Sequence, residues 1–358
     1  MRTTVVSGRE VADRRIAAAW RDARAGRTEL ASPYFDPAYV ACMAEVRDDV
    51  FVLVVEDGGA VVALLPFQRM PGAVGCPVGG PINDFQGLLA LPGVDVEPRW
   101  LVRQAGLLWL GFDHWVAEQP AFTAHRTVMA ASPVIDLAEG MAGYLARQQA
   151  EGRNTASRLR HKARRLERGV GPLRFEWHVE DPEVLARVIE WKTAQSERTG
   201  TALLFERPWA RAVVDRIRHT QTTPFAGVLS ALWAGDRLVA AHMGMRSEHV
   251  LHYWFPTHDP ELSEYSCGLI FLWHLMEAAA AQGMLRLDLG KGDQAYKDRM
   301  KTHDAFVAEG RLAAHPAVGA ALRGATRSLA WARDGTLHDP THQVDRVLRR
   351  VRRFLRYR

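Results

Sequence analysis

Short apolar runs at residues 51–56 and 61–67, joined by Asp57-Gly58-Gly59, predict a β-hairpin, because glycine reaches positive φ without strain. Residues 37–47 carry a helical pattern ahead of it. A loop rich in glycine and proline follows (Gly72, Pro77, Gly79, Gly80, Pro81) and ends in Asn83-Asp84-Phe85-Gln86-Gly87, before a short apolar run at 88–91. Residues 158–168 are strongly basic, with Leu159, Ala163 and Leu166 at helical spacing on one side. The second half is punctuated more clearly. A helix is predicted over 182–198, with Asp181 before it and Pro182 in its first turn, and another over 208–219. Strands follow at 226–233, 237–245 and 249–255, turned by Gly235-Asp236 and Ser247-Glu248. Then come a helix over 269–282 closed by Gly283, a short strand at 285–289, a helix carrying Tyr296 and Lys297, and a last strand at 306–312.

A chain of 358 residues exceeds one ordinary core. The pattern divides it into an N-terminal α/β domain (1–140), a basic helical connector (141–171), a second α/β domain (172–314) and a basic helical tail (315–358). The net charge of +5 is unevenly spread. Residues 151–168 carry +5 and residues 345–358 carry +6, so the rest is acidic, and a dispersed nucleic-acid-binding face is not expected. No apolar run is long enough for a membrane span, and the first ten residues have no secretory apolar core. Cys42, Cys76 and Cys267 are odd in number and widely spaced, which argues against a disulfide framework or zinc site and for a reducing cytoplasm. The tail sets Val344, Val347, Leu348, Val351, Phe354 and Leu355 on one stripe among arginines. Such a helix could lie peripherally on an anionic membrane or dock on its own protein.

Tyr265-Ser266-Cys267-Gly268-Leu269, a helix, and then Leu287-Asp288-Leu289-Gly290-Lys291-Gly292-Asp293-Gln294-Ala295-Tyr296-Lys297 resemble the C-terminal signature of CelD/BcsL-like acetyltransferases. These belong to the GNAT superfamily of acyl-CoA-dependent N-acyltransferases. Trp191-Lys192 through Gly200 resembles the helix that opens the family's second domain, and Pro77–Pro81 with Asp84–Gly87 resembles its first-domain loop. The sequence departs from the family at Cys267, where proline is usual, and lacks the Arg/Gln-x-x-Gly-x-Gly/Ala loop. The resemblance implies an α/β (α+β) fold of tandem GNAT-like domains, each a mixed, mostly antiparallel sheet flanked by helices, with a helical C-terminal tail. It also implies acetyl-CoA or another acyl-CoA as co-substrate. The acceptor would be an amine, with an amino sugar of an envelope or extracellular polysaccharide suggested by the family association.

Several residues fit that chemistry, each with a plainer alternative. Tyr265, Ser266, Cys267 and Gly268 precede a helix whose free amides could cradle a diphosphate, or they could form an ordinary capped helix start. Asp288, near a strand's C-terminal end, could accept the amine proton; it could equally orient Lys297 or cap a turn. Tyr296 is placed where GNAT enzymes often carry an acid for the departing thiolate, or packs at a helix edge; Lys297 could meet a phosphate or Asp293. His252 and His242 lie on neighbouring strands; His252, sharing a face with Trp254, is either a tuned base or a hydrogen-bonded core histidine, the latter favoured. Asp84 and Gln86 could close the acceptor site, and Lys192, Gln195 and Arg198 share a helix face that could bind acceptor or stay solvated; Trp254 and Asp293 join the acceptor side. Cys267 at a helix start could be an activated thiol. No metal-ligand spacing occurs, so no metal is expected. Two further readings stand beside the first: an aminoacyl-tRNA-dependent transferase of the FemABX type, and a non-catalytic GNAT-like module binding a nucleotide or partner at the membrane.

Overall fold

A computed structural model describes residues 1–320. The first half runs β1 (Arg2–Ser7), α1 (Arg14–Arg24), α2 (Pro37–Val46), β2 (Val50–Asp57), β3 (Ala60–Met70), β4 (Val74–Cys76), β5 (Leu89–Ala90), α3 (Pro98–Gln104), β6 (Trp109–Val116) and β7 (Arg126–Asp136). Two helices follow, α4 (Gly140–Ala150) and the basic α5 (Thr155–Gly169). The second half contains β8 (Leu173–Glu176), α6 (Pro182–Thr199), α7 (Pro208–His219), β9 (Ala226–Ala234), β10 (Arg237–Arg246), β11 (Val250–His258), α8 (Cys267–Ala281), β12 (Arg286–Asp288), α9 (Ala295–Met300) and β13 (His303–Ala313). The stripe expected on the tail, residues 344–355, lies outside the described residues.

Local signals account for many of these boundaries. Asp181 accepts the Glu183 amide, Pro182 opens α6, and Gly200 closes it at φ +66°. Gly58 and Gly59 take φ +56° and +86° in the β2–β3 turn, the pair of positive values a tight hairpin requires.

The sheet is continuous, in the order β1-β2-β3-β4-β6-β13-β7-β12-β11-β10-β9-β8, with β5 paired to β3. Among the described strands the ladders are antiparallel except β4–β6 and β11–β12. The last strand of each half crosses to the other: β13 lies between β6 and β7, and β7 pairs with β12. The two halves therefore share one hydrogen-bonded framework. On the second half, α8 buries Ile270, Phe271, Leu272, Leu275, Met276 and Ala279, whose apolar surface is the main force holding it to β10 and β11. Helices α6 and α7 also pack on this sheet region, and α2 meets α7 across the halves.

Candidate active site

The parallel β11–β12 ladder runs only from Val250↔Arg286 to His252↔Asp288. Beyond it, β11 continues to His258 without β12 beside it. A cleft opens there, with about 1060 Å³ of space free of protein atoms, part of it open solvent. One wall is β11 from Tyr253 to His258; the other is Leu289, Gly290 and Lys291. Helix α6 contributes Lys192 and Gln195, α9 contributes Tyr296 and Lys297, and the start of α8 contributes Ser266, Gly268 and Leu269.

Asp84 enters this cleft from the first half. Its loop is held on both sides. Asn83 Nδ2 donates to Val78 O (2.8 Å) and its Oδ1 accepts the Phe85 amide (2.9 Å). The Gln86 amide donates to His114 O (2.9 Å), and Gln86 O accepts from the Val116 amide (2.8 Å). The glycine upstream is required: at Gly79, φ is +89°, and a Cβ would sit 2.2 Å from the Tyr39 hydroxyl.

His252 is fully buried, and its Nε2 lies 2.9 Å from Asp84 Oδ2, while Nδ1 has no partner among the described residues. The rings of Tyr34 and Phe85 meet His252 edge-on at 5.0 and 6.1 Å. Burial opposes the charge on Asp84, but the His252 hydrogen bond and the nearby His252, His114 and Lys297 outweigh it and hold the carboxyl below its ordinary value. His252 thus sits behind Asp84 and does not line the cleft. Gly290 makes the approach possible, since at φ +73° a Cβ there would stand 3.1 Å from Asp84 Oδ2. Gly290→Ala is expected to cost about 1 to 2 kcal/mol through left-handed strain and to displace Asp84; thermal melting and turnover measured together check this.

Lys297 Nζ donates to Gly290 O (2.9 Å) and Lys291 O (3.1 Å), tying α9 to the turn after β12. Burial lowers its pKa to about 8, against the opposing pull of Asp84. The Tyr296 phenol is pushed up to about 12 by burial. At the head of α8, Ser266 occupies the N-cap position at φ +60° but makes no side-chain cap; its Oγ accepts from Lys162 Nζ of α5 (2.7 Å) instead. Leu269 and Ile270 amides turn back to Ser266 O, whereas Cys267 and Gly268 lack such a bond. Arg158 and Lys162 of α5, with Arg153 and Arg299, line a second hollow that shares Leu269 with the cleft.

Of the residues singled out by sequence, the cleft gathers Asp84, Lys192, Gln195, Trp254, Ser266, Gly268, Tyr296 and Lys297. The others lie elsewhere. Asp288, expected as a proton acceptor, is fully buried against Arg286, with Nε to Oδ1 at 2.9 Å and Nη2 to Oδ2 at 3.2 Å, outside the cleft. Both faces of the central sheet are covered, so the side chain that alternation turned away from one apolar face was not turned toward solvent. Gln86, expected at the acceptor site, is bound to Asp113 Oδ1 (2.8 Å) on the β6 side. Tyr265 packs under Arg165, 5.1 Å from guanidinium to ring centre. Cys267 is buried, and burial raises its thiol to about 11, which removes the activated-thiol option. Asp293 lies outside the lining but acts electrostatically on Lys297. His242 is buried against Tyr253, ring centres 4.9 Å apart, and burial lowers it to about 3, so it stays neutral.

Sequence reasoning did not single out His258, Lys291 or Gln294, which also line the cleft. His258 closes β11 beside Gly268, and burial, with Arg198 and Lys192, holds its imidazole below the ordinary value. The signal available for it was only its place at the end of a strand. Among the described residues no group of three or more His, Cys, Asp or Glu is placed to hold a metal ion, and no helix is long and apolar enough to cross a membrane.

Parted parallel strands with a helix start at their opening thus frame the cleft. Residues 153–298, which include the parted strands and α8, match the family described as "Acetyltransferase (GNAT) domain". Three solved structures share the whole architecture. FemX matches at TM-score 0.53 and 11% identity, over 87% of this chain and 96% of that one. A tandem GNAT protein from the clavulanic acid biosynthesis pathway matches at 0.51 and 13%, over 88% and 99%. The C-terminal domain of a putative lysylphosphatidylglycerol synthetase from Agrobacterium fabrum matches at 0.51 and 16%, over 87% and 96%. At such identities the likeness is one of fold. A search of curated proteins finds no match.

Proposed function

We propose that the cleft transfers an acyl group from acyl-CoA to an amine, and that the end of the β11–β12 ladder beside the α8 start carries this reading. The donor thioester lies in the gap between the strands. Its diphosphate meets the Cys267 and Gly268 amides, where unpaired N–H groups and the helix dipole favour negative charge. Lys162, Arg158 and Arg299 supply positive charge on that side. In this reading residues 172–314 hold the donor and the chemistry, and residues 1–140 contribute the acceptor side through Asp84.

The acceptor enters as an ammonium. Asp84, ionised and steadied by His252, takes one proton from it in an uphill step that the following attack draws forward. The free amine attacks the thioester carbonyl, the C–N bond forms, the C–S bond breaks, and CoA leaves as a thiol with a proton from the site. The products are an amide, CoA thiol and one released proton. Tyr296 stands in the lining as hydrogen-bond donor to the departing sulfur. The family resemblance suggests an amino sugar of an envelope or extracellular polysaccharide as the amine, and a cytoplasmic location, where acyl-CoA is made.

Titration with CoA, acetyl-CoA and palmitoyl-CoA followed by thermal shift tests the donor, since a ligand preferring the native state must raise the melting temperature. Gly268→Val, which crowds the cradle, is expected to weaken CoA binding about tenfold or more, the scale of one lost charge-assisted hydrogen bond. Unchanged affinity by calorimetry would remove the cradle assignment. The exposed arginines of α5 (Arg158, Arg160, Arg164, Arg165, Arg168) favour a second reading, an aminoacyl-tRNA donor. Steep salt dependence of charged-tRNA binding, without any response to CoA, would select it.

A further inference from the structure

Lys192 stands at a junction. It lines the cleft together with Asp84, and it also lines a second chamber with Thr193 and Ser196 of α6. That chamber holds about 730 Å³ of space free of protein atoms, part of it open, and its apolar wall is Pro81, Ala202, Leu204, Phe205 and Phe255. Among the described residues Lys192 makes no hydrogen bond or ion pair. The other lysines of the cleft are engaged: Lys291 with Glu309 at 2.8 Å, and Lys297 with two backbone carbonyls. Burial depresses the Lys192 pKa, opposed by Asp84, so the ammonium is short of the solvation or counter-charge it would have in water.

We propose, resting on the acyl-transfer reading above, that the acceptor is an amine bearing a carboxylate and an apolar side chain on or near the same carbon, as an apolar α-amino acid does. Three features of the site converge on three features of such a molecule. Asp84 faces the amine, Lys192 pairs with the carboxylate, and the Phe205–Phe255 chamber takes the side chain. An amine without a carboxylate, such as glucosamine, would leave the Lys192 ammonium half-buried without a partner, a cost that discriminates against it. The carboxylate also adds negative charge to a cleft that Lys192, Lys291 and Lys297 line, where Asp84 is the one carboxylate among the described lining residues.

The test compares leucine, leucinamide, glycine and glucosamine as acceptors at fixed acetyl-CoA, reading released CoA thiol. Leucine is expected to exceed leucinamide in kcat/KM by about tenfold or more, the value of one charge-assisted contact, and to exceed glycine and glucosamine. Lys192→Gln should erase the leucine–leucinamide difference and Lys192→Arg should keep most of it, with melting temperatures confirming that both variants fold. Equal rates for leucine and leucinamide, survival of the preference in Lys192→Gln, or use of glucosamine in place of leucine would overturn the proposal. Should no thermal shift with CoA be found, the donor reading fails by itself. The acceptor site is then judged by calorimetry without donor, where leucine binding over leucinamide sustains it and equal or absent binding of both ends it.

Discussion

Asp84→Asn is expected to lower turnover at neutral pH by about 10² to 10⁴, the usual range for loss of a positioned general base, while leaving the melting temperature close to that of the unaltered protein. The amide keeps the size of the carboxylate and can still accept from His252 Nε2, so the loop 83–87 has no reason to move. What disappears is the negative charge. The clearest readout is the pH profile. In the proposed mechanism Asp84 deprotonates the bound ammonium itself, and the rate between about pH 6 and about 8 should vary little. In Asp84→Asn the reaction depends on free amine from solution, so kcat/KM should rise about tenfold per pH unit toward the acceptor's own pKa. A second shift accompanies it. Asp84 props up Lys297, whose pKa lies at about 8, so removing the carboxylate should move the Lys297 titration lower. If Lys297 must be charged for activity, the descending limb that begins as pH rises through about 8 will then begin earlier. A merely structural Asp84 would change melting and leave both limbs in place.

What the chain discloses locally and what it conceals follow from the range of the interactions. Helices α6 and α7 and strands β9 to β11 are punctuated by caps and turns a few residues away, and their limits are readable from the pattern. β7 carries no such marks. It contains Pro133, which argues against a central strand, yet it lies between β13 and β12. Pro133 C=O accepts the Leu289 amide at 3.0 Å, so the strand contributes an acceptor where it lacks a donor. Placing β13 beside β6 joins residues nearly two hundred positions apart, and no local propensity encodes that.

The site divides in the same way. Ser266, Gly268, Tyr296 and Lys297 belong to one contiguous stretch around α8 and β12, and motif spacing was enough to bring them forward. The pairing of Asp84 with His252 spans 168 positions. Each partner carries a visible polar side chain, but only the tertiary fold shows that the two serve one another. Asp288 is the converse case. It sits on a strand end in the familiar place, but Arg286, two residues earlier on the same face, pairs with it. The i, i+2 spacing of opposite charges on a strand was in the sequence and points to a structural pair.

Tyr296→Phe is expected to reduce kcat about 10- to 100-fold, the range of a lost hydrogen bond to a charge developing in the transition state, with little change in the affinity for CoA. The reason lies in how far the phenol is from titrating. At about 12 its pKa stands more than three units above the roughly 8.5 of a free thiol. Full proton transfer to a CoA thiolate is therefore uphill. Donation of a hydrogen bond to the sulfur as the C–S bond breaks is favourable at every working pH, because the phenol never ionises there. The loss should thus appear in kcat, where the leaving group is expelled, and not in donor binding, which rests on the α8 amides and the α5 cations. It should also be independent of pH between about 6 and 10, and any limb near 8 set by Lys297 should stay where it is. Donors with better leaving groups need less help, so an aryl thioester should narrow the gap between Tyr296→Phe and the unaltered enzyme. An equal loss with acetyl-CoA and the aryl thioester would instead put Tyr296 at the acyl oxygen, and an unchanged kcat with both would remove it from the reaction.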